Sequence, residues 1–261
     1  MSWIWGAFAP HPPVLVPRVG KGREKEAAKT LEGMRQLCES LARKKPEILL
    51  LLSPHMPYNP GTLLFNSSPE LSGSLSRFGA PDLAFSLSTP VPALEHLSGH
   101  LAAKGVMRAF CESPNITADH GSLVPLHFLA ECWQGLPPVV FASPIGLTPR
   151  QSFAFGEALA DFSDTRTWGL LASGDLSHRL TPSAPSGYDP AGAIFDKAVV
   201  DALASGRAEE LLALAPNVVK NAGECGLRSA CALLGLAGKP LRVFSYEGPF
   251  GVGYCTALVE M

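Results

Sequence analysis

Short unbroken apolar runs alternate along the chain with longer segments whose apolar positions recur at helical spacing. The clearest run is Ile48-Leu49-Leu50-Leu51-Leu52, apolar on both faces and so predicted as a central strand covered on both sides. Ser53-Pro54-His55 follows at once. Pro54 removes a ladder donor and fixes φ, so His55 is expected at the strand's carboxyl end, where open α/β sheets keep their ligand crevice. The same device recurs twice. Residues 4–9 run into Pro10-His11-Pro12-Pro13, and residues 168–172 run into Ser173-Gly174-Asp175-Leu176-Ser177-His178.

Residues 20–45 are predicted as a surface helix with the stripe Leu31, Met34, Leu37, Cys38 and Leu41, ended by Pro46. The polar, Gly/Ser/Pro-rich residues 56–79 read as a lid or rim holding a short strand at 62–65, with an edge strand at 83–87. Helices are predicted over 91–104, from Asp119-His120 through Cys132, and over 151–162; strands are predicted over 106–110 and 138–142. Asp189 and Pro190 look like the N-cap and first turn of a helix that Gly206 ends, and a short helix follows at 209–214. Asn221 to Glu224 opens a helix over 225–236, and strands at 241–246 and 254–259 pair around a glycine-rich turn. That turn is no nucleotide-binding loop, because a strand follows it instead of a helix. Together these elements predict an α/β fold: three layers, α/β/α, with a central mixed sheet, in a single domain over 1–261.

Composition narrows the function. A net charge of -2 with 17% charged residues supplies no basic stripe, so nucleic acid is not an expected partner. No apolar run approaches the roughly 20 residues of a membrane span, and the first ten residues do not read as a signal peptide. Six scattered cysteines without a CxxC pair fit reduced thiols in a cytoplasm. Dimerisation is the base-rate expectation for a soluble chain.

His11, His55, His120 and His178 all fall at element ends, and strand ends of one sheet converge by geometry. A metal would need an anionic or thiolate ligand beside the imidazoles. Glu224 is the candidate, although Asn221-x-x-Glu224 is equally a capping box, and Cys225 is a softer alternative. Two imidazoles and a carboxylate suit non-haem Fe(II) oxygen chemistry; the same set can hold zinc, and Cys225 would favour zinc or copper. His96 and His100, four apart on a helix, read as a solvated face, and His127 as a packed or rim residue. Arg228 could bind a substrate carboxylate or pair with Glu224. Asp175 could orient His178 or cap its turn. Tyr246 and Tyr254 read as core or crevice wall.

Ala9-Pro-His-Pro-Pro13, Ser53-Pro-His55, Asp119-His-Gly-Ser-Leu-Val-Pro-Leu126, Ser173-Gly-Asp-Leu-Ser-His178 and Glu224-Cys-Gly226 occur in the order seen in class III extradiol ring-cleavage dioxygenases, and the chain resembles their LigB-type catalytic subunit. Ser173 to His178, Glu224 to Ser229 and the segment from Tyr246 to Tyr254 resemble more closely the LigB-like part of AmmeMemoRadiSam system proteins, relatives of Memo. The resemblance implies Fe(II) held by His11, His55 and Glu224, with His178 as acid/base and His120 near bound oxygen. It also implies a small catechol-type aromatic and O2 as substrates. Memo-like relatives keep a cysteine near the position of Cys225, which implies the rival reading of a metal-binding or redox module. Zinc-dependent hydrolysis is the rival enzyme reading. AmmeMemoRadiSam proteins often carry a further domain, so a partner chain could supply it.

Overall fold

A computed structural model describes residues 2–113 and 116–261. Among the described residues the strands are β1 (Trp3–Ala9), β2 (Ile48–Leu52), β3 (Leu63–Asn66), β4 (Glu70–Leu75), β5 (Ala80–Ser88), β6 (Arg108–Cys111), β7 (Val139–Ser143), β8 (Trp168–Ser173), β9 (Arg242–Glu247) and β10 (Tyr254–Glu260). The helices are α1 (Pro17–Gly20), α2 (Ala28–Leu41), α3 (Val91–Ala103), α4 (His120–Trp133), α5 (Pro149–Ala160), α6 (Ala191–Ser205), α7 (Glu209–Leu212), α8 (Pro216–Ala222) and α9 (Leu227–Ala237).

Eight strands form one sheet in the order β6-β3-β7-β2-β8-β1-β10-β9. The centre is parallel: β7, β2, β8 and β1 run the same way, whereas β3 is antiparallel to β7, and β10 to β1. Alternate side chains of β2 enter opposite cores, Ile48, Leu50 and Leu52 on one face and Leu49 and Leu51 on the other. The first core packs against α3, α5, α6 and α9, the second against α2, α4 and the separate hairpin β4-β5. The fold is thus mixed α/β with helices on both faces of a large sheet, as expected from the sequence.

Several boundaries differ from expectation. The predicted helix over 20–45 is broken into α1, a 3-10 turn and α2, because Lys21 and Gly22 adopt left-handed conformations that stop the first turn. The edge strand expected at 83–87 is β5, which pairs with β4 outside the main sheet; β4, with its Ser/Gly-rich sequence, carries no strand signal. The N-cap of α6 is Pro190, not Asp189, whose carboxylate instead accepts the N–H of Ala191.

The capping box, the alternative reading of Asn221 and Glu224, does not form. Asn221 lies inside α8, Gly223 closes that helix in a left-handed conformation, and α9 starts only at Leu227. His100 is also not on a solvated face: its Nε2 lies 2.8 Å from the carbonyl of Ala158 on α5.

Candidate metal centre

Strands β2, β8 and β1 are neighbours whose carboxyl ends lie level, Ala9 beside Ser173 and Leu52 beside Ala172. The loops leaving these ends therefore meet in one place. The chain leaving β1 carries His11, fully buried; the turn after β2 carries His55 at the rim; and the strap after β8 carries Asp175 and His178. The first residue of α4, His120, closes the group, because Asp119 caps that helix through Ser122 N–H while accepting from the hydroxyl of Ser53.

The Nε2 atoms of His11 and His55 face each other at 3.0 Å. Behind His11, Nδ1 lies 2.8 Å from the hydroxyl of Ser173, which in turn donates to the carbonyl of Gly121. This fixes the ring so that Nε2 points into the crevice. His120 stacks on His55 with centroids 4.4 Å apart, and Phe78 of the turn between β4 and β5 meets His120 edge-on at 5.4 Å.

Cys225 completes the group. Its Sγ is 3.6 Å from His11 Nε2, and donor atoms of His11, His55 and Cys225 all lie within 4.8 Å of one another. The approach depends on two glycines in contact. A Cβ on Gly174 would stand 2.3 Å from the Cα of Gly226, so any side chain there would push the Cys225 loop off the strap.

Glu224 stands elsewhere. Its Oε2 accepts the N–H of Leu227 at 2.7 Å and its Oε1 pairs with Arg228 at 3.3 Å, with the carboxylate side chain 4% exposed. Of the residues singled out in the sequence, the structure therefore brings together His11, His55, His120 and Cys225, and it directs Glu224 and Arg228 toward each other. Asp175 does not serve His178; its Oδ1 accepts the backbone N–H of His11 at 2.8 Å, and its Oδ2 is 3.9 Å from His11 Nε2. His178 hangs from α8 by its own N–H to the carbonyl of Ala222, and its buried Nδ1 has no partner among the described residues. His127 sits 3.5 Å from Glu131, one turn along α4.

Sequence reasoning passed over Ser173, the partner of His11, and Asp196, the buried anchor of the strap. Asp196 Oδ1 accepts the N–H of Ser177, and its Oδ2 accepts the hydroxyl of Tyr246. An apolar-spaced helix that nevertheless carries one aspartate on its buried side is the only signal that could have found it.

Burial sets the electrostatics. It holds His11 well below the ordinary imidazole value, with the neighbouring histidines adding in the same direction, and lowers His120 to about 4, His55 and His178. The imidazoles are thus neutral near pH 7 and offer lone pairs. Burial also raises the Cys225 thiol well above its usual range and pushes Asp175 up to about 7. Two neutral imidazoles, one of them oriented from behind, and a thiol fit a divalent metal; the sulfur makes the set softer than two imidazoles with a carboxylate.

A cavity of about 590 Å3 opens beside His120, bounded by Ser74, Arg77, Phe78, Phe85 and Thr117. Such a volume suits a small organic molecule. A histidine-rich crevice at the carboxyl ends of a parallel sheet, with a thiol among the imidazoles, defines an α/β protein with a candidate metal site.

The family follows from comparison. The chain belongs to the LigB family, described as the catalytic LigB subunit of aromatic ring-opening dioxygenase, which it matches over residues 6–257. It is 33% identical to Protein CA_C1420 of Clostridium acetobutylicum in an alignment covering 96% of this chain and 56% of that protein, so the chain spans little more than half of that relative. It is 25% identical to the 2-aminophenol 1,6-dioxygenase beta subunit of a Pseudomonas species, over 84% of this chain and 80% of that one. The crystal structure of the uncharacterized protein JW3007 from Escherichia coli K12 shares the fold, with a TM-score of 0.63 at 16% identity, covering 98% of this chain and 99% of the other.

Proposed function

We propose that this chain carries out metal-dependent, O2-consuming cleavage of a small aromatic ring bearing adjacent hydroxyl or amino groups, with the metal held by His11, His55 and Cys225. The observation that carries the reading is the facing pair of imidazole Nε2 atoms at 3.0 Å with Cys225 beside them, in a chain of the LigB family. A divalent metal bound there would anchor two adjacent ring substituents and let electron density pass from ring to oxygen. Fe(II) is the metal this chemistry asks for, with zinc or copper the alternatives that the thiol favours.

The chain's own groups have separate tasks. The cavity beside His120 takes the ring, with Phe78 and Phe85 as its aromatic walls. His178, a neutral imidazole on the strap beside the crevice, accepts a proton from a ring hydroxyl and returns it later. His120 donates an N–H toward negative charge developing on oxygen. Asp175 and Ser173 hold His11, while Glu224 keeps the first turn of α9 in place through Leu227 and Arg228. The chain is read as one catalytic domain. Its free thiols support a reducing cytoplasm, and the beta-subunit name of the Pseudomonas relative supports a partner chain.

Cys225 also favours a second reading. As a ligand it would make the centre resemble the Memo-like and AmmeMemoRadiSam proteins, acting as a metal-binding or redox module without ring turnover. Anaerobic titration with Fe(II), Zn(II) and Cu(I), followed by O2 uptake on 2-aminophenol and a catechol panel, separates the two. Ring cleavage requires O2 consumption equal to substrate consumed, at least 100-fold slower in His178→Ala. Cys225→Ser weakens metal binding, whereas Glu224→Gln leaves the stoichiometry unchanged. Tight metal binding with no O2 uptake on any substrate selects the redox module, and no metal binding at all sinks both.

A further inference from the structure

Glu224 and Cys225 are consecutive, yet they face different surroundings. Cys225 faces His11, whereas Glu224 lines a second cavity of about 630 Å3 between the start of α5 and the segment from α7 to α9. We propose that this second cavity binds a small amphipathic organic anion, an apolar body carrying one carboxylate, at a site separate from the histidine centre. The inference does not rest on ring-cleavage chemistry.

Two features identify the ligand class. One wall is apolar, formed by the partly buried Leu212, Leu214 and Val219. The lining also carries three cations, Arg150, Lys220 and Arg228, against a single carboxylate, Glu224. Glu224 is already committed to the N–H of Leu227 and to one arm of Arg228. Arg228 also donates from Nε to the carbonyl of Leu147, which leaves its Nη2 without a protein partner among the described residues. Arg150 and Lys220 have no ion pair or side-chain hydrogen bond there either. A cavity with an apolar wall and unneutralised positive charge favours an occupant that brings a hydrocarbon portion and a negative charge together. The occupant would lie against α8, whose last carbonyl, that of Ala222, holds both the N–H of His178 and the hydroxyl of Ser177.

Calorimetric titration of the metal-free full chain with octanoate, with octanol as the neutral control, tests this. One equivalent of octanoate should bind, with octanol roughly tenfold weaker or worse. The double variant Arg150→Gln, Lys220→Gln, both exposed positions, should weaken octanoate by a similar factor with an unchanged Tm. His55→Ala should leave octanoate binding intact. Equal affinity for octanol, indifference to the double variant, loss of binding in His55→Ala, or no binding at millimolar octanoate would each overturn the proposal. Because the titration uses no metal, its result is independent of whether the histidine centre cleaves rings.

Discussion

At the scale of single residues, the buried carboxyl of Asp196 sets a pH signature. It is fully buried and pushed up to about 7 by that burial, against 3.8 for an ordinary aspartate. Between those values the folded chain keeps a proton that the unfolded chain has released. The contribution of Asp196 to stability is therefore full below the unfolded value and falls as pH rises through about 7. Asp196→Asn keeps an acceptor for the N–H of Ser177 and should flatten that slope, on the order of a few kcal/mol between about pH 4 and pH 7. Urea denaturation of both proteins at several pH values measures it. Asp175 titrates in the same direction but is common to both proteins, so a wild-type-minus-variant difference that does not vary with pH would refute the assignment.

Residue identities made part of the site legible. Histidines placed just after apolar runs announced themselves through Pro10, Pro54 and Ser173-Gly174, which end strands for reasons internal to the backbone. The direction in which Glu224 and Cys225 point was not legible. That depends on Gly223 ending α8 in a left-handed turn and on Gly226 pressing against Gly174, contacts between segments about 50 residues apart.

At the scale of elements, α5 and α9 pack unusually close. A Cβ on Gly156 would stand 2.0 Å from the carbonyl oxygen of Ala232, and one on Gly235 would stand 2.2 Å from that of Phe153. Both obstacles are backbone, so neither can swing aside. Gly156→Ala should cost roughly 1–3 kcal/mol or more despite its better helix propensity, read as a lower urea midpoint. An unchanged midpoint would show that the two helices can separate freely. The existence of both helices was legible from periodicity, and so were β1, β2, β7 and β8 from their apolar runs. The hairpin strand β4 and the helix α8 were not: Ser72-Gly73-Ser74 has little strand preference, and α8 is a short helix opened by Pro216.

At the scale of the whole molecule, the two cores on either side of the sheet should exchange with solvent differently from the rim. Native-state hydrogen exchange is expected to be slowest in β2, β7, β8 and β1, whose side chains are buried on both faces, and faster in the hairpin β4-β5, which lies outside the main sheet. Hairpin amides as protected as those of β2 would mean that it unfolds only with the sheet. That hairpin carries Phe78 toward His120, so local opening there would admit ligand without disturbing the strands.

Strand order was the least legible feature, since nothing local in β1 states that its neighbours are β8 and β10. This arrangement has a consequence for how the chain comes off the ribosome. The strand that delivers His11 is made early, but the partners that flank it are made late, β10 about 250 residues further on. Vectorial synthesis therefore leaves β1 without a sheet partner until β8 has emerged, and leaves its other edge open until β10 follows near the end of the described chain. The histidine crevice is consequently assembled as a closing event of folding, and a partly made chain has no competent centre with which to capture metal.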